Sequence, residues 1–360
     1  MKVCIIGDGL VSLTLAKALV NRGILVEVIN SNKKKNYNKN RTLGISKSNV
    51  DYFNKNIVNI EKILWPVNKI EIFTENFLDK KILNFSNKNK NLFSILQNYK
   101  LLLILEKQLK KNKLFKYKKN LSIKEIGKDN YNLFINCDTQ HEITKKLFFK
   151  QIVKKYKSIA YTTTIEHEKV IDNTVASQIF TNSGPIAFLP ISNLKTSIVC
   201  SLRIGLAKDK ININKIIEKF NPKYKIINIE KANQFVLTSS SLRRYYKDNI
   251  LAFGDLLHKL HPLAGQGFNM SIRDIKNLIN LIDKKISLGL EIDKTICIDF
   301  QNKTKDKNYI FSTGIDLIYE LFNFESKVKS KFLNNLINFI GNKKLTNDIF
   351  KKFADRGFNI

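Results

Sequence analysis

Two short stretches of this chain hold the residue types and spacings that could do chemistry. The first is GDLLHKLHPLAGQGFNMSIRD, Gly254 to Asp274, in which Asp255 follows a glycine, Pro262 precedes Gly265-Gln266-Gly267, and Asn269 opens a helix-like run. The second is KVCIIGDGLVSLTLAKAL at the other end, with Gly7-x-Gly9-x-x-Ser12. In a turn of that second kind the first glycine makes the tight bend. The next lets backbone approach a pyrophosphate at a helix N-terminus, and a small third residue allows helix and strand to pack closely. The motif lies between an apolar run, Val3 to Ile6, and a helical pattern, Leu10 to Asn21. That is the context a dinucleotide site requires, with an ordinary strand-to-helix turn as the competing reading. Asn30 ends the second strand, where an acid usually takes the adenosine ribose, and its amide can still bond a hydroxyl. In the C-terminal stretch an acid can grip a ligand hydroxyl, and glycines turn N–H groups outward. The helix that follows adds partial positive charge at its N-terminus. The arrangement suits a flat ring that becomes anionic, as reduced flavin does; a structural turn with a helix cap is the alternative.

Other constellations support less. His258 and His261 are three apart, but no Cys, Asp or Glu completes a metal site convincingly. Cys4, Cys137, Cys200 and Cys297 have neither metal-ligand nor disulfide-framework spacing, which fits a reducing cytoplasm. Gly-x-Ser-x-Gly is absent, so a serine hydrolase has no support. The net charge is +31, from 62 Lys+Arg against 31 Asp+Glu. Compositional drift towards Lys, Asn and Ile competes here with an anionic membrane surface or nucleic acid as the explanation. No nucleic-acid module is visible, and LRRYYKDN (Leu242–Asn249) reads as a solvated approach to a strand. An apolar strand starting at Val3 leaves no room for a signal peptide before it, and no run of about 18 uncharged apolar residues predicts a membrane span.

The elements that must position these residues follow from periodicity. The chain opens as strand, helix and second strand (Ile24–Asn30), the start of a doubly wound sheet. RTLGISKSNVDYFNKN reads as a loop entering a helix, VNKIEIFTE and KKILNF as strands, and YKLLLILEKQLKK as a helix with one apolar and one basic face. YNLFINCD reads as a buried strand, and the alternating runs from Ile159 to Arg203 as an antiparallel sheet. NILAFGD is a strand leading into the glycine loop, and helical patterns dominate from Met270.

GD…HPLAGQGFNMSIRD together with the Gly7/Gly9 turn resembles the class A flavoprotein monooxygenases, and within them the ubiquinone-biosynthesis hydroxylases. RTLGISKSN, TIEHE with GPIAFLPIS, and STGIDLIYELF extend the resemblance over nearly the whole chain. It implies an α/β fold: a Rossmann-like, glutathione-reductase-type FAD-binding domain, an inserted β-sheet substrate domain and a helical C-terminal tail. The implied division gives residues 1–65, 96–150 and 246–285 to the FAD-binding domain. Residues 66–95 and 151–245 go to the substrate domain, and 286–360 to the tail. The cofactor implied is FAD, with NAD(P)H as reductant and O2 adding at flavin C4a before transfer to an electron-rich ring. The implied substrate is a polyprenylated phenol or quinol. Peripheral contact with the inner face of a membrane and a place in a quinone-biosynthesis complex are implied as well. Gly7, Gly9 and Ser12 would hold the pyrophosphate side, with Asn30 at the ribose. Arg41 would reach the phosphates or ribityl region, and Asp255 the ribityl chain. Pro262 would line the flavin; Gly265, Gln266 and Gly267 would turn backbone N–H groups to its N1/C2 edge; Asn269 would fix that loop. Two departures stand out. Leu256-Leu257 replace the family's Ala-Ala, and Thr139 follows Asp138 where the family has glycine, an uncomfortable exchange if the backbone needs a positive φ. A non-catalytic structural subunit of the same fold and a hydroxylase of a small aromatic acid are the alternatives.

Overall fold

The computed structural model describes residues 1–30, 38–75, 83–86, 91–119, 131–204, 212–261 and 265–328. Two large sheets organise them. The first contains β1 (Lys2–Ile6), β2 (Leu25–Asn30), β8 (Phe115–Lys119), β9 (Leu133–Asn136), β16 (Tyr246–Lys247) and β17 (Ile250–Ala252), in the order β16-β17-β9-β1-β2-β8. All neighbours are parallel except the β16–β17 edge. Strands β1 and β9 are continuous apolar runs because helices cover parallel sheets on both faces. Val3 to Ile6 and Leu133 to Ile135 are fully buried. Helices α1 (Leu10–Val20) and α3 (Asn98–Lys110) pack together here, and α3 turns Leu101, Leu105 and Leu109 inward.

The second sheet runs β18-β15-β10-β13-β12-β11-β5-β6, with β14 (Ile226–Ile229) also on β10. Its strands are β5 (Lys69–Thr74), β6 (Leu83–Ser86), β10 (Gln151–His167), β11 (Val175–Thr181), β12 (Gly184–Pro190), β13 (Lys195–Arg203), β15 (Asn233–Leu242) and β18 (His258–Lys259). Helix α5 (Ile213–Phe220) covers one face with Ile213, Ile217 and Phe220. The other face carries Ala160, Thr162 and Thr164, which pair with Ser201, Val199 and Ser197 and so project on the same side. It looks toward a small third sheet of β3 (Thr42–Ser46), β7 (Phe93–Gln97) and β4 (Trp65–Val67), where Thr42 Oγ1 lies 3.0 Å from Ser197 Oγ. The segment read as a loop before α2 (Lys47–Asn56) is therefore strand β3, held by β7 from fifty residues away in sequence. The basic-aromatic run is also not a solvated approach throughout, since Tyr245 is buried in the main core and Tyr246–Lys247 form the sheet edge.

The remaining helices are α4 (Glu142–Leu147), α6 (Gln266–Ser287) and α7 (Lys294–Val328), with α6 packed on α1, β3 and α7. Among the described residues no helix is long and apolar enough to cross a membrane.

Candidate functional site

At the end of β1 the chain turns at Gly7, whose φ is +99° and whose N–H donates to Ile29 O at 3.1 Å. A Cβ there would stand 3.2 Å from Asp138 Cβ and 3.3 Å from Asp138 N, so the turn is closed over by the segment following β9. Gly9 differs. It is the N-cap of α1 with ordinary extended φ, and a Cβ built on it meets nothing within 4 Å. The first turn of α1 contains no acid to neutralise the helix's positive end. Ser12 is buried and hydrogen-bonds the Cys137 thiol, whose pKa burial pushes up to about 12. Asn30 ends β2 with a buried Oδ1 that accepts no hydrogen bond among the described residues.

Asp138 sits in a side-chain turn, its Oδ1 accepting from Gln140 N at 2.8 Å. Lys157 and Asp248 are the non-glycine residues with positive φ among those described. Thr139 is therefore outside the left-handed region, and the glycine exchange carries no backbone strain.

The C-terminal stretch returns to the same place. Gly254, with φ +65°, packs against α1, where a Cβ would lie 3.1 Å from Val11 Cγ1. Asp255 follows in a single short helical turn, Gly254–Leu256, instead of ending the buried strand, and its side chain is exposed. Its charge nonetheless acts on the Cys137 thiol just after β9. Pro262 lies outside the described residues. Gly265 is the left-handed N-cap of α6, φ +63° and ψ 24°, and presses on strand β3: a Cβ would be 3.1 Å from Gly44 N. Among the described residues a Cβ on Gly267 meets nothing within 4 Å, as at Gly9. Gln266 is 7% exposed, with an Oε1 that has no partner among the described residues. Arg41 stands exposed just before β3, its carbonyl accepting from Asn98 N at 2.9 Å.

Asn269 joins these parts. It is fully buried; its Oδ1 accepts from Ser46 N and Asn49 Nδ2, both at 2.9 Å, while its Nδ2 donates to Gly44 O at 3.0 Å and Gly265 O at 3.3 Å. One amide thus fastens β3 and α2 to the start of α6. Sequence reasoning missed a second fastening. His258 Nε2 meets Asp274 Oδ2 at 2.5 Å, both buried, and Asp274 Oδ1 accepts from Asn308 Nδ2 at 3.0 Å. The pair links β18, α6 and α7. Its only signal was a histidine followed sixteen residues later by an acid on a different element, which no local pattern connects.

The site fits FAD on several counts. Two glycines open on free space at two helix N-termini, and no acid occupies the first turn of either helix. Buried amide oxygens of Asn30 and Gln266 wait for a donor. Residues 142–287 match the family described as FAD binding domain. The fold is also that of solved flavin-dependent monooxygenases. It superposes on p-nitrophenol 4-monooxygenase PnpA from Pseudomonas putida DLL-E4 with a TM-score of 0.79 at 12% identity, over 99% of this chain and 98% of that one. For Klebsiella pneumoniae HpxO, solved with FAD and uric acid, the TM-score is 0.74 at 13% identity over 98% and 97%. The two glycine turns and the two large sheets therefore define a chain with the class A flavoprotein monooxygenase fold.

Within that class its sequence is similar to ubiquinone-biosynthesis hydroxylases. It is 29% identical over 166 residues to 3-demethoxyubiquinol 3-hydroxylase of Escherichia coli K12, covering 44% of this chain and 42% of that protein. With the mitochondrial ubiquinone biosynthesis monooxygenase COQ6 of Dictyostelium discoideum it is 22% identical, over 94% of this chain and 86% of that one. For the Schizosaccharomyces pombe counterpart the figures are 23%, 56% and 55%. The chain thus spans about half the length of two of these three relatives.

Proposed function

We propose that this chain is an FAD-dependent monooxygenase that hydroxylates the aromatic ring of a polyprenylated ubiquinone precursor, with NAD(P)H as reductant and O2 as the oxygen source. The observation that carries the reading is the pair of open glycines, Gly9 and Gly267, at the N-termini of two helices that touch. FAD, when bound, supplies the electron transfer and oxygen activation; the protein supplies placement and electrostatics. Gly7, Gly9 and Ser12 with the start of α1 hold the pyrophosphate, and Asn30 the ribose. Arg41 meets the phosphates and Asp255 a ribityl hydroxyl. Backbone N–H groups from Gly265 to Gly267 face the ring, where the positive end of α6 steadies negative charge. Pro262 lines the flavin in this reading. The sheet face of Ala160, Thr162 and Val199 carries small side chains across from β3, and this reading puts the aromatic substrate there. The purified protein is expected to show the visible bands of oxidised flavin, and a prenylated phenol to accelerate its NAD(P)H oxidation and gain one oxygen atom. A protein that takes up no FAD overturns the reading. Flavin without substrate-stimulated turnover points to the structural-subunit alternative.

A lipid-soluble substrate calls for peripheral contact with a bilayer. The outer side of α3 offers exposed Leu103 among exposed Lys100, Lys107 and Lys110. Each lysine near an anionic surface adds about 1 kcal/mol, screened by salt. Co-sedimentation with anionic vesicles at low salt is expected, with loss at high salt and weak binding to neutral vesicles. Equal binding to both lipids, or to neither, would reduce the charge to compositional drift.

A further inference from the structure

One register row crosses five strands of the larger sheet: Ile72 of β5, Gln178 of β11, Ala187 of β12, Val199 of β13 and Thr162 of β10 pair in succession. Side chains of one row share a face. This face is opposite to α5, whose side is taken by Ile165, Ile179, Ile186 and Ile198. The rows before and after it are covered. On one side Ala176 packs with Val67 and Ile95 of the small sheet, and Thr42 reaches Ser197. On the other Ala160 clusters with Tyr319 of α7, and Phe180 is buried; α7 also packs against β11. In the row between them Ile72, Gln178 and Val199 are each partly exposed. The row is therefore a slot between the small sheet and α7. Its floor is apolar and small at Ala187 and Val199, and Gln178 is the polar group that emerges from it. The Gln178 Nε2 lies 3.4 Å from Ile186 O, at the far limit of a hydrogen bond, and its Oε1 accepts nothing among the described residues. On these five strands, among the described residues, no charged side chain stands on this face between the rows of Lys195 and Arg203.

We propose that Gln178 sets the specificity of the aromatic site: its Oε1 accepts the proton of a neutral ring hydroxyl, and the uncharged slot around it refuses a ring that bears a carboxylate. The proposal rests on the reading that the substrate ring lies on this face. A carboxylate brought out of water onto a face with no cation to meet it keeps its full desolvation cost. A phenol brings a donor, which is what a carboxamide oxygen without a partner lacks. A site whose polar group matches a hydroxyl also rejects the analogue that cannot donate, because the amide oxygen is then left unpaired under the ligand. The substrate class is therefore an uncharged phenol or quinol, in preference to a hydroxybenzoate. Ala187 and Val199 take no part in that choice; they leave the ring an apolar surface to lie on.

The test is calorimetric titration of the full chain, supplied with FAD, using ortho-prenylphenol, its methyl ether and its para-carboxylate as probes. The wild-type chain is expected to bind the phenol about tenfold more tightly than either analogue. Gln178→Leu keeps the bulk but can neither donate nor accept. It should lose about tenfold in affinity for the phenol, leave the ether unchanged, and so bind the two alike. Gln178→Arg puts a cation in the slot and should bring the carboxylate to binding as tight as the phenol's or tighter. Thermal unfolding checks that both variants are folded; if the arginine variant is not, wild type and Gln178→Leu decide alone. Wild-type protein that binds the carboxylate as tightly as the phenol, or a Gln178→Leu variant that still prefers phenol to ether, overturns the proposal and leaves the substrate reading standing. FAD-loaded wild-type protein that binds none of the three rings sinks the substrate reading itself, and this proposal with it.

Discussion

Gly9→Val is expected to abolish flavin binding while leaving the protein folded. A Cβ at residue 9 meets no atom of the described residues within 4 Å, and the residue's φ of −73° suits any amino acid. In the proposed site the branched group enters the space where a pyrophosphate would approach backbone. The loss of glycine at an N-cap costs about 1 kcal/mol or less. Gly7→Val is the informative companion. With φ +99° and Asp138 at 3.2 Å, that exchange should damage the fold itself. Visible absorbance and thermal unfolding of the two variants separate the cases, and normal flavin content in Gly9→Val would remove this turn from the site.

Asn269→Leu should destabilise the chain by about 3–5 kcal/mol, because two buried backbone groups and one half-buried one lose a partner and each unpaired buried group costs about 1–3 kcal/mol. Those groups are Ser46 N, Gly44 O and Gly265 O. Urea unfolding should show a lower midpoint at unchanged slope, and flavin should be lost with the geometry of the loop. A cost below about 1 kcal/mol would mean that β3 and α6 are held together by packing instead.

The readable parts of the molecule were those with local cause. The β1 turn, α1 and the strand before Gly254 each carry a short pattern with its own punctuation. The face of α3 that buries Leu101, Leu105 and Leu109 follows from helical spacing. Strand β3 was not readable because RTLGIS is short and its partner is β7, so its hydrogen bonds come from outside the segment. The same holds for much of the candidate site. A Cβ at Gly254 would press on Val11, and one at Gly7 on Asp138. Such requirements belong to pairs of residues far apart in the chain. Thr139 shows the opposite error, a family expectation of backbone strain at a position where the actual φ imposes none.

The strand order of the first sheet sets the sequence in which a ribosome-bound chain can mature. β17 adds to β9, with Ile250 beside Phe134, so the last parallel strand arrives more than a hundred residues after its neighbour. Until then the outer edge of β9 is open, and an open edge is a place where other chains can pair. Such distant pairing also folds slowly. The glycine loop follows β17 from the exit tunnel after only a short helical turn and strand β18. The strand that closes the sheet therefore delivers the second half of the candidate cofactor site in the same event. A nascent chain ending before residue 250 has neither a finished sheet nor the second half of the candidate cofactor site.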